Sequence, residues 1–147
     1  MKTSIAVLLE HKGPAVFSVP PEITVAAAVK EMASHKVGAT LVMDGGRLVG
    51  IFTERDVLFR VVAAGLDPAT TPMKRVMTPN PITVASATSI EEVMALFTNK
   101  RFRHLPVVDN DHLMGLISIG DVLRRMVETH RYEAEQLKQY IAGGYPP

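Results

Sequence analysis

The run Gly50-Ile51-Phe52-Thr53-Glu54-Arg55-Asp56-Val57 returns 65 residues later as Gly115-Leu116-Ile117-Ser118-Ile119-Gly120-Asp121-Val122. At that offset the chain aligns with itself without a gap from Ser18 to Val62. Val25 falls on Ile90, Ala28 on Val93, Met32 on Phe97, and Leu48-Val49-Gly50-Ile51 on Leu113-Met114-Gly115-Leu116. Few identities survive, yet the apolar pattern is kept throughout. An internal repeat constrains the fold more than any single motif, because each copy must build the same unit.

Each copy reads as strand, helix, strand, strand, helix. In the second, Pro81 to Val84 is a short β run. Thr88 and Ser89 are N-cap residues for a helix whose Ile90, Val93, Met94 and Phe97 keep helical spacing. His104 to Val108 is a strand with a ladder weakened by Pro106. Asp109-Asn110-Asp111 turns the chain, and Leu113 to Ser118 returns as an apolar strand. The first copy has Asp44-Gly45-Gly46 at its hairpin, and Gly65 to Pro72 reads as a linker. A unit of about 50 residues buries too little surface to stand alone. Two copies about a pseudo-twofold axis are therefore expected to close one core between their sheets. The expected architecture is α+β (mixed α/β), with βαββα repeats at 14–64 and 76–128 and a linker at 65–75. Residues 1–13 form an N-terminal helix with Thr3 and Ser4 as caps and an Ile5, Leu8, Leu9 stripe. Residues 129–147 form a C-terminal helix and tail. A cleft at the axis would be gripped by matching elements of both copies.

Sixteen basic against fifteen acidic side chains leave a formal net charge of +1, which offers no field for nucleic acid or an anionic membrane. The chain has no cysteine, hence no disulfide framework and no thiolate chemistry. Its opening MKTSIAVLLEHKG has too short an apolar run for a secretory leader. No stretch approaches the roughly 18 apolar residues of a membrane span. The expectation is a cytoplasmic protein without a membrane or nucleic-acid partner.

Thr53-x-x-Asp56 and Ser118-x-x-Asp121 each sit where a strand hands over to a helix. Taken singly, either is close to a capping box, with the hydroxyl on the first turn and the acid against the helix dipole. Duplication in register, behind a glycine that admits close approach to the backbone, opens a second reading. A helix N-terminus receives anions, and a carboxylate one turn in accepts from a vicinal diol such as a ribose. Ribose plus phosphate in one cleft means a nucleotide.

These two motifs, the Ser18-Val19-Pro20 and Thr83-Val84-Ala85 runs, and Arg103-His104-Leu105-Pro106-Val107-Val108-Asp109 together resemble a pair of CBS domains, the Bateman module. The resemblance covers roughly residues 14 to 128. It implies two clefts about the pseudo-twofold that bind adenosine-containing ligands: AMP, ADP, ATP, NAD or S-adenosylmethionine. It further implies that Asp56 and Asp121 hold ribose hydroxyls, and that Thr53 and Ser118 face phosphate. Basic residues just before the Leu-Pro segment contact phosphate in that family. This adds Arg103 and His104, which alternate at the mouth of a strand and so are expected to face one cleft each. Arg101, Arg55 and Lys36 complete the phosphate candidates. Apolar candidates for the base are Val16, Val37 and Ala39 from the first copy, and Ile82 and Phe102 from the second.

The spacing of Leu123, Val127, His130, Ala134, Leu137 and Ile141 makes a short heptad seam. Residues 121 to 141 read either as one long helix or as two joined near Thr129-His130. The seam either lies back on its own module or is shared between protomers. The resemblance implies a homodimer. The end, Gly143-Gly144-Tyr145-Pro146-Pro147, is expected to fray. Ser118, His104 and Asp121 are the residue types of a catalytic triad, but the serine and aspartate already have roles, so no enzyme, metal site or catalytic cofactor is expected. The expected function is a nucleotide sensor of energy or redox state acting on an unknown protein partner. The alternative is a ligand-free interaction or dimerisation module.

Overall fold

The computed structural model describes residues 3–13, 16–100 and 102–143. The chain is mixed α/β, and it folds as two copies of one unit. The first copy contains β1 (Ser18–Val19), α2 (Val25–His35), β2 (Ala39–Asp44), β3 (Arg47–Thr53) and α3 (Glu54–Asp56), preceded by α1 (Ile5–Lys12). Helix α3 runs on as a wide, π-type stretch over Val57–Val62, where Ala63 N donates to Leu58 O. The second copy is preceded by α4 (Met73–Val76) and β4 (Thr78–Pro79). It contains α5 (Ile90–Lys100), β5 (His104–Asp109), β6 (His112–Ser118) and α6 (Ile119–Gly143).

The hairpins match in detail. Both turns place two residues at positive φ, Gly45 and Gly46 in one, Asn110 and Asp111 in the other. That is the backbone of a tight type I′ connection. Both ladders slip at the same repeat position, between Val42 and Met43 and between Val107 and Val108. β1 pairs parallel to β2 through Val19↔Val42, and Val84 bridges Val107 in the same way. The β run read at Pro81 to Val84 shrinks to that single bridge, since Pro81 brings no N–H to a ladder. Thr78 and Pro79 instead form β4, antiparallel to β3.

The single core expected between the sheets is two cores, one per copy. Each is completed by a leading helix from the opposite side. Met73 and Val76 of α4 are buried with Val25, Ala28, Met32, Val42 and Phe52 of the first copy. Ile5 and Leu8 of α1 are buried with Val93, Phe97, Leu105, Ile117 and Val122 of the second. The offset of 65 carries Leu8 onto Met73 and Lys12 onto Met77, so α1 and α4 are counterparts that cross over. α1 is tied down by its backbone, with Ile5 N donating to Thr88 O and Ile90 N to Thr3 O. Its N-cap residue Ser4 makes no side-chain cap bond; Ile5 N and Ala6 N of the first turn donate instead to Thr88 O and Ser86 O.

The crossing explains the glycine in each motif. A Cβ at Gly50 would strike the Met77 sulfur, and one at Gly115 would lie 2.7 Å from Leu9 Cδ2. The close approach read there is thus made by the chain's own leading segments.

α6 is one helix, not two. From Val127 to Ile141 it is exposed at every position, so the seam does not lie back on its own module. The expected frayed end falls largely on residues 144–147, outside the described residues.

Candidate functional site

A cavity of about 450 Å³ opens where the two copies meet. The first copy contributes Ile51, Thr53, Glu54, Arg55 and Asp56 from the β3–α3 junction, with Phe59 and Arg60 from the widened helix. The second contributes Thr78, Asn80, Pro81 and Ile82 from its leading segment, and Phe102, Arg103, His104 and Leu105 from the entry to β5. Seven of the sequence candidates therefore share one space: Thr53, Arg55, Asp56, Ile82, Phe102, Arg103 and His104.

Asp56 serves two ends. Its Oδ2 accepts the Thr53 backbone N–H at 2.9 Å and lies 3.4 Å from Thr53 Oγ1, as a capping carboxylate should. Its Oδ1 faces Arg60 Nε at 3.4 Å. Its side chain is 15% exposed, more enclosed than a surface cap. Arg60 also donates through Nη1 to Met77 O at 3.1 Å, and so ties the Asp56 wall to the crossing segment. Arg55 lies over the Phe59 ring, 5.7 Å from its centroid, which turns its cation along the cavity mouth.

Arg103 and His104 do not divide between two clefts. Both line the Asp56 cavity. Strand alternation starts only at His104, the first residue of β5, and Arg103 sits on the bend before it. Burial pushes the His104 imidazole below its ordinary pKa, and the cations of Lys12 and Arg103 push the same way against Asp121 and Glu54. These influences favour the neutral ring, a hydrogen-bonding group, over the cation. Glu54 adds a negative charge that the sequence reading left out.

The Asp121 side is built differently. Ser118 N donates to Asp121 Oδ2 at 2.8 Å, and Asp121 N donates to Ser118 Oγ at 3.1 Å, a reciprocal capping box. Lys12 Nζ then reaches the same Oδ2 at 2.8 Å and also donates to Leu116 O at 2.7 Å. Arg124 Nη2 donates to Oδ1 at 2.6 Å. Burial raises the Asp121 pKa, but the hydrogen bonds from Lys12 and Ser118 and the Lys12 charge outweigh it, and the carboxyl titrates below the ordinary carboxylate range. A smaller cavity of about 330 Å³ lies beside it, lined by Leu8, His11, Lys12, Asp121, Arg124, Arg125 and Glu128.

Val16, Val37 and Ala39 line neither cavity. Ala39 is buried in β2, and Val37 is exposed. Lys36 is an exposed left-handed C-cap of α2 and lines neither cavity. Arg101 lies outside the described residues. Among the lining residues missed in the sequence are Glu54, Phe59, Arg60 and Asn80 in the first cavity and Lys12, Arg124 and Arg125 in the second. Continuing the repeat upstream of Ser18 would have brought Lys12 onto Met77. Among the described residues, no cluster of three or more His, Cys, Asp or Glu is placed to hold a metal, and no helix is long and apolar enough to cross a membrane.

Two βαββα units, each strapped by the crossing helix of the other, with a cleft built from both, define a tandem-repeat cleft module. The chain belongs to the CBS-domain family, whose model matches residues 13–63 and 73–128, and is a CBS-domain regulatory module. It is 42% identical over 127 residues to the mitochondrial CBS domain-containing protein CBSX3 of Arabidopsis thaliana. That match covers 83% of this chain but 62% of the relative, so the chain spans less than two thirds of it. The structure of the CBS-domain containing protein ATU1752 from Agrobacterium tumefaciens is similar at TM-score 0.80 and 36% identity, covering 84% of this chain and 99% of that one. The hexameric CBS-CP12 protein from bloom-forming cyanobacteria is similar at TM-score 0.74 and 27% identity, covering 98% and 91%.

Proposed function

We propose that this chain is a non-catalytic sensor that binds AMP, ADP, ATP or NAD(H) in the Asp56 cavity and passes energy or redox state to a partner protein or to its own dimer geometry. The observation that carries the reading is the convergence on one cavity of Asp56 from one copy and Ile82, Phe102 and Arg103 from the other. Its volume suits a small-molecule site. Ile82 and Phe102 offer an apolar slot for adenine. Asp56 Oδ1 accepts from the ribose diol. Arg103 and the Thr53 hydroxyl face the phosphates, with His104 as a neutral donor. A ligand bridging both copies changes how they sit against each other, which is a signal a partner can read. S-adenosylmethionine is the alternative occupant. Ser118 Oγ accepts the Asp121 N–H as a cap of α6, a role that accounts for the serine without catalysis.

Calorimetric titration of the full chain with AMP, ADP, ATP, NAD(H) and S-adenosylmethionine tests the proposal. Saturable binding of one of them, weakened by Asp56→Ala, supports it. No binding across the panel favours a second reading, an interaction or dimerisation module with no ligand. That reading has its own support. Leu58 and Val62 of the first copy and their counterparts Leu123 and Val127 of the second are all exposed apolar residues. Matched apolar positions on both copies suit a self-complementary, twofold contact between two chains.

A further inference from the structure

The two repeat aspartates differ in one respect that the motif does not carry. Among the described residues, the hydrogen-bond and ion-pair partners of Asp56 are Thr53 and Arg60 of its own copy. Asp121 also meets Lys12, which is 109 residues away and mounted on the crossing helix α1. The Lys12 side chain is 39% exposed, but the backbone that carries it is held in place. Its helix is pinned by Ile5 and Leu8 in the second core and by backbone bonds to Thr88 and from Ile90. Its ammonium is shared between Asp121 Oδ2 and the Leu116 carbonyl. The counterpart residue is Met77, the C-cap just past α4, whose uncharged side chain packs on Gly50.

We propose that Lys12 is a built-in latch that occupies the Asp121 carboxylate in place of a ribose, so that the chain takes one nucleotide, at Asp56, and not two. This rests on the nucleotide reading given above. With Oδ2 held by Lys12 and Ser118, and Oδ1 by Arg124, a diol entering at Asp121 must first displace a cation. The first-copy wall is also poorer on this side. The positions matching Phe102, Arg103 and His104 are Val37, Gly38 and Ala39. Yet phosphate partners remain for a ligand that does enter. Arg125 matches Arg60 by the repeat offset and has a buried Nε with no hydrogen-bond partner among the described residues. Arg124 is exposed and pairs with Asp121 Oδ1, so it stands at the same cavity. The latch is thus what separates a one-site chain from a two-site one.

The test is the stoichiometry of ATP binding by calorimetry on the full chain. Wild type and Lys12→Arg are expected to bind one ATP per chain tightly, any second only as a separate, weaker event. Lys12→Met, which installs the counterpart residue, is expected to bind two, and Lys12→Met with Asp121→Ala one again. Lys12→Gln repeats the test with a polar chain should Met disturb packing. In the wild type the second site should be weaker by roughly tenfold or more, the scale of a charge-assisted hydrogen bond that must be broken. Two equivalent ATP molecules on wild type, or one on both Lys12→Met and Lys12→Gln, would overturn the latch and leave the Asp56 reading standing. Binding to none of these proteins would overturn the nucleotide reading and the latch as its gate. In that case the Asp121 carboxyl titration, followed by carbon NMR in wild type and Lys12→Met, would still report whether the ion pair forms.

Discussion

Replacing Asp56 by alanine removes two things at once, and the structure allows them to be separated. The first is a cap. Oδ2 accepts the Thr53 N–H at 2.9 Å at the start of α3, and loss of such a cap costs about 1 kcal/mol of stability. The second is the proposed acceptor for a ribose diol at Oδ1, now 3.4 Å from Arg60. A hydrogen bond to a charged group contributes roughly 1.5–3 kcal/mol, so its loss should weaken nucleotide binding about ten- to a hundredfold. Asp56→Asn keeps an oxygen for the cap and loses the charge. It should therefore recover most of the lost stability but little of the lost affinity. Thermal melts report the first quantity and calorimetry with ATP the second. If affinity returns in step with stability in Asp56→Asn, the aspartate is a cap and the ribose assignment is wrong.

Arg103→Ala should weaken ATP far more than adenosine, because a guanidinium fork serves phosphate and nothing particular on the base; equal losses in calorimetry would mean packing. His104, held below its ordinary value of 6.5 first by burial, takes up a proton more readily in the unfolded chain. Stability is thus intact above pH 6.5 and should fall as the pH drops from there toward the folded-state pKa, and His104→Ala should flatten that part of the melting-temperature profile. Removing the residues after Thr129 should raise the dimer dissociation constant in sedimentation while leaving ATP affinity within a few fold, since an isolated helix of that length is marginal and reinforces a contact without creating it. An unchanged dimer would show that the exposed seam is not part of the contact.

The repeat and its elements were readable because they rest on local pattern. Apolar period, hairpin turns and the strand-to-helix motifs all lie within one copy. Destinations were not readable. The Ile5, Leu8 stripe announces a packed helix but not that it fills the second core. Nothing near Asp121 in the chain announces Lys12, which reaches it only because α1 crosses over. The widened helix at Val57–Val62, which brings Phe59 and Arg60 to the cavity, has an unbroken α-helix at the matching place in the second copy. The apolar signal at the two places is alike, so pattern could not tell them apart. Arg103 and His104 were assigned to opposite clefts by an alternation that begins one residue too late to apply to Arg103.

The central claim is that one adenine nucleotide lies in the cleft built from both copies. A crystal structure of the full chain grown with ATP tests it most directly. The expected result is adenine between Ile82 and Phe102, the ribose hydroxyls on Asp56 and the phosphates toward Arg103 and Thr53, with the Lys12–Asp121 pair still closed. ATP bound at Asp121 with the Asp56 cavity empty, or an empty cavity at saturating ATP, would contradict it.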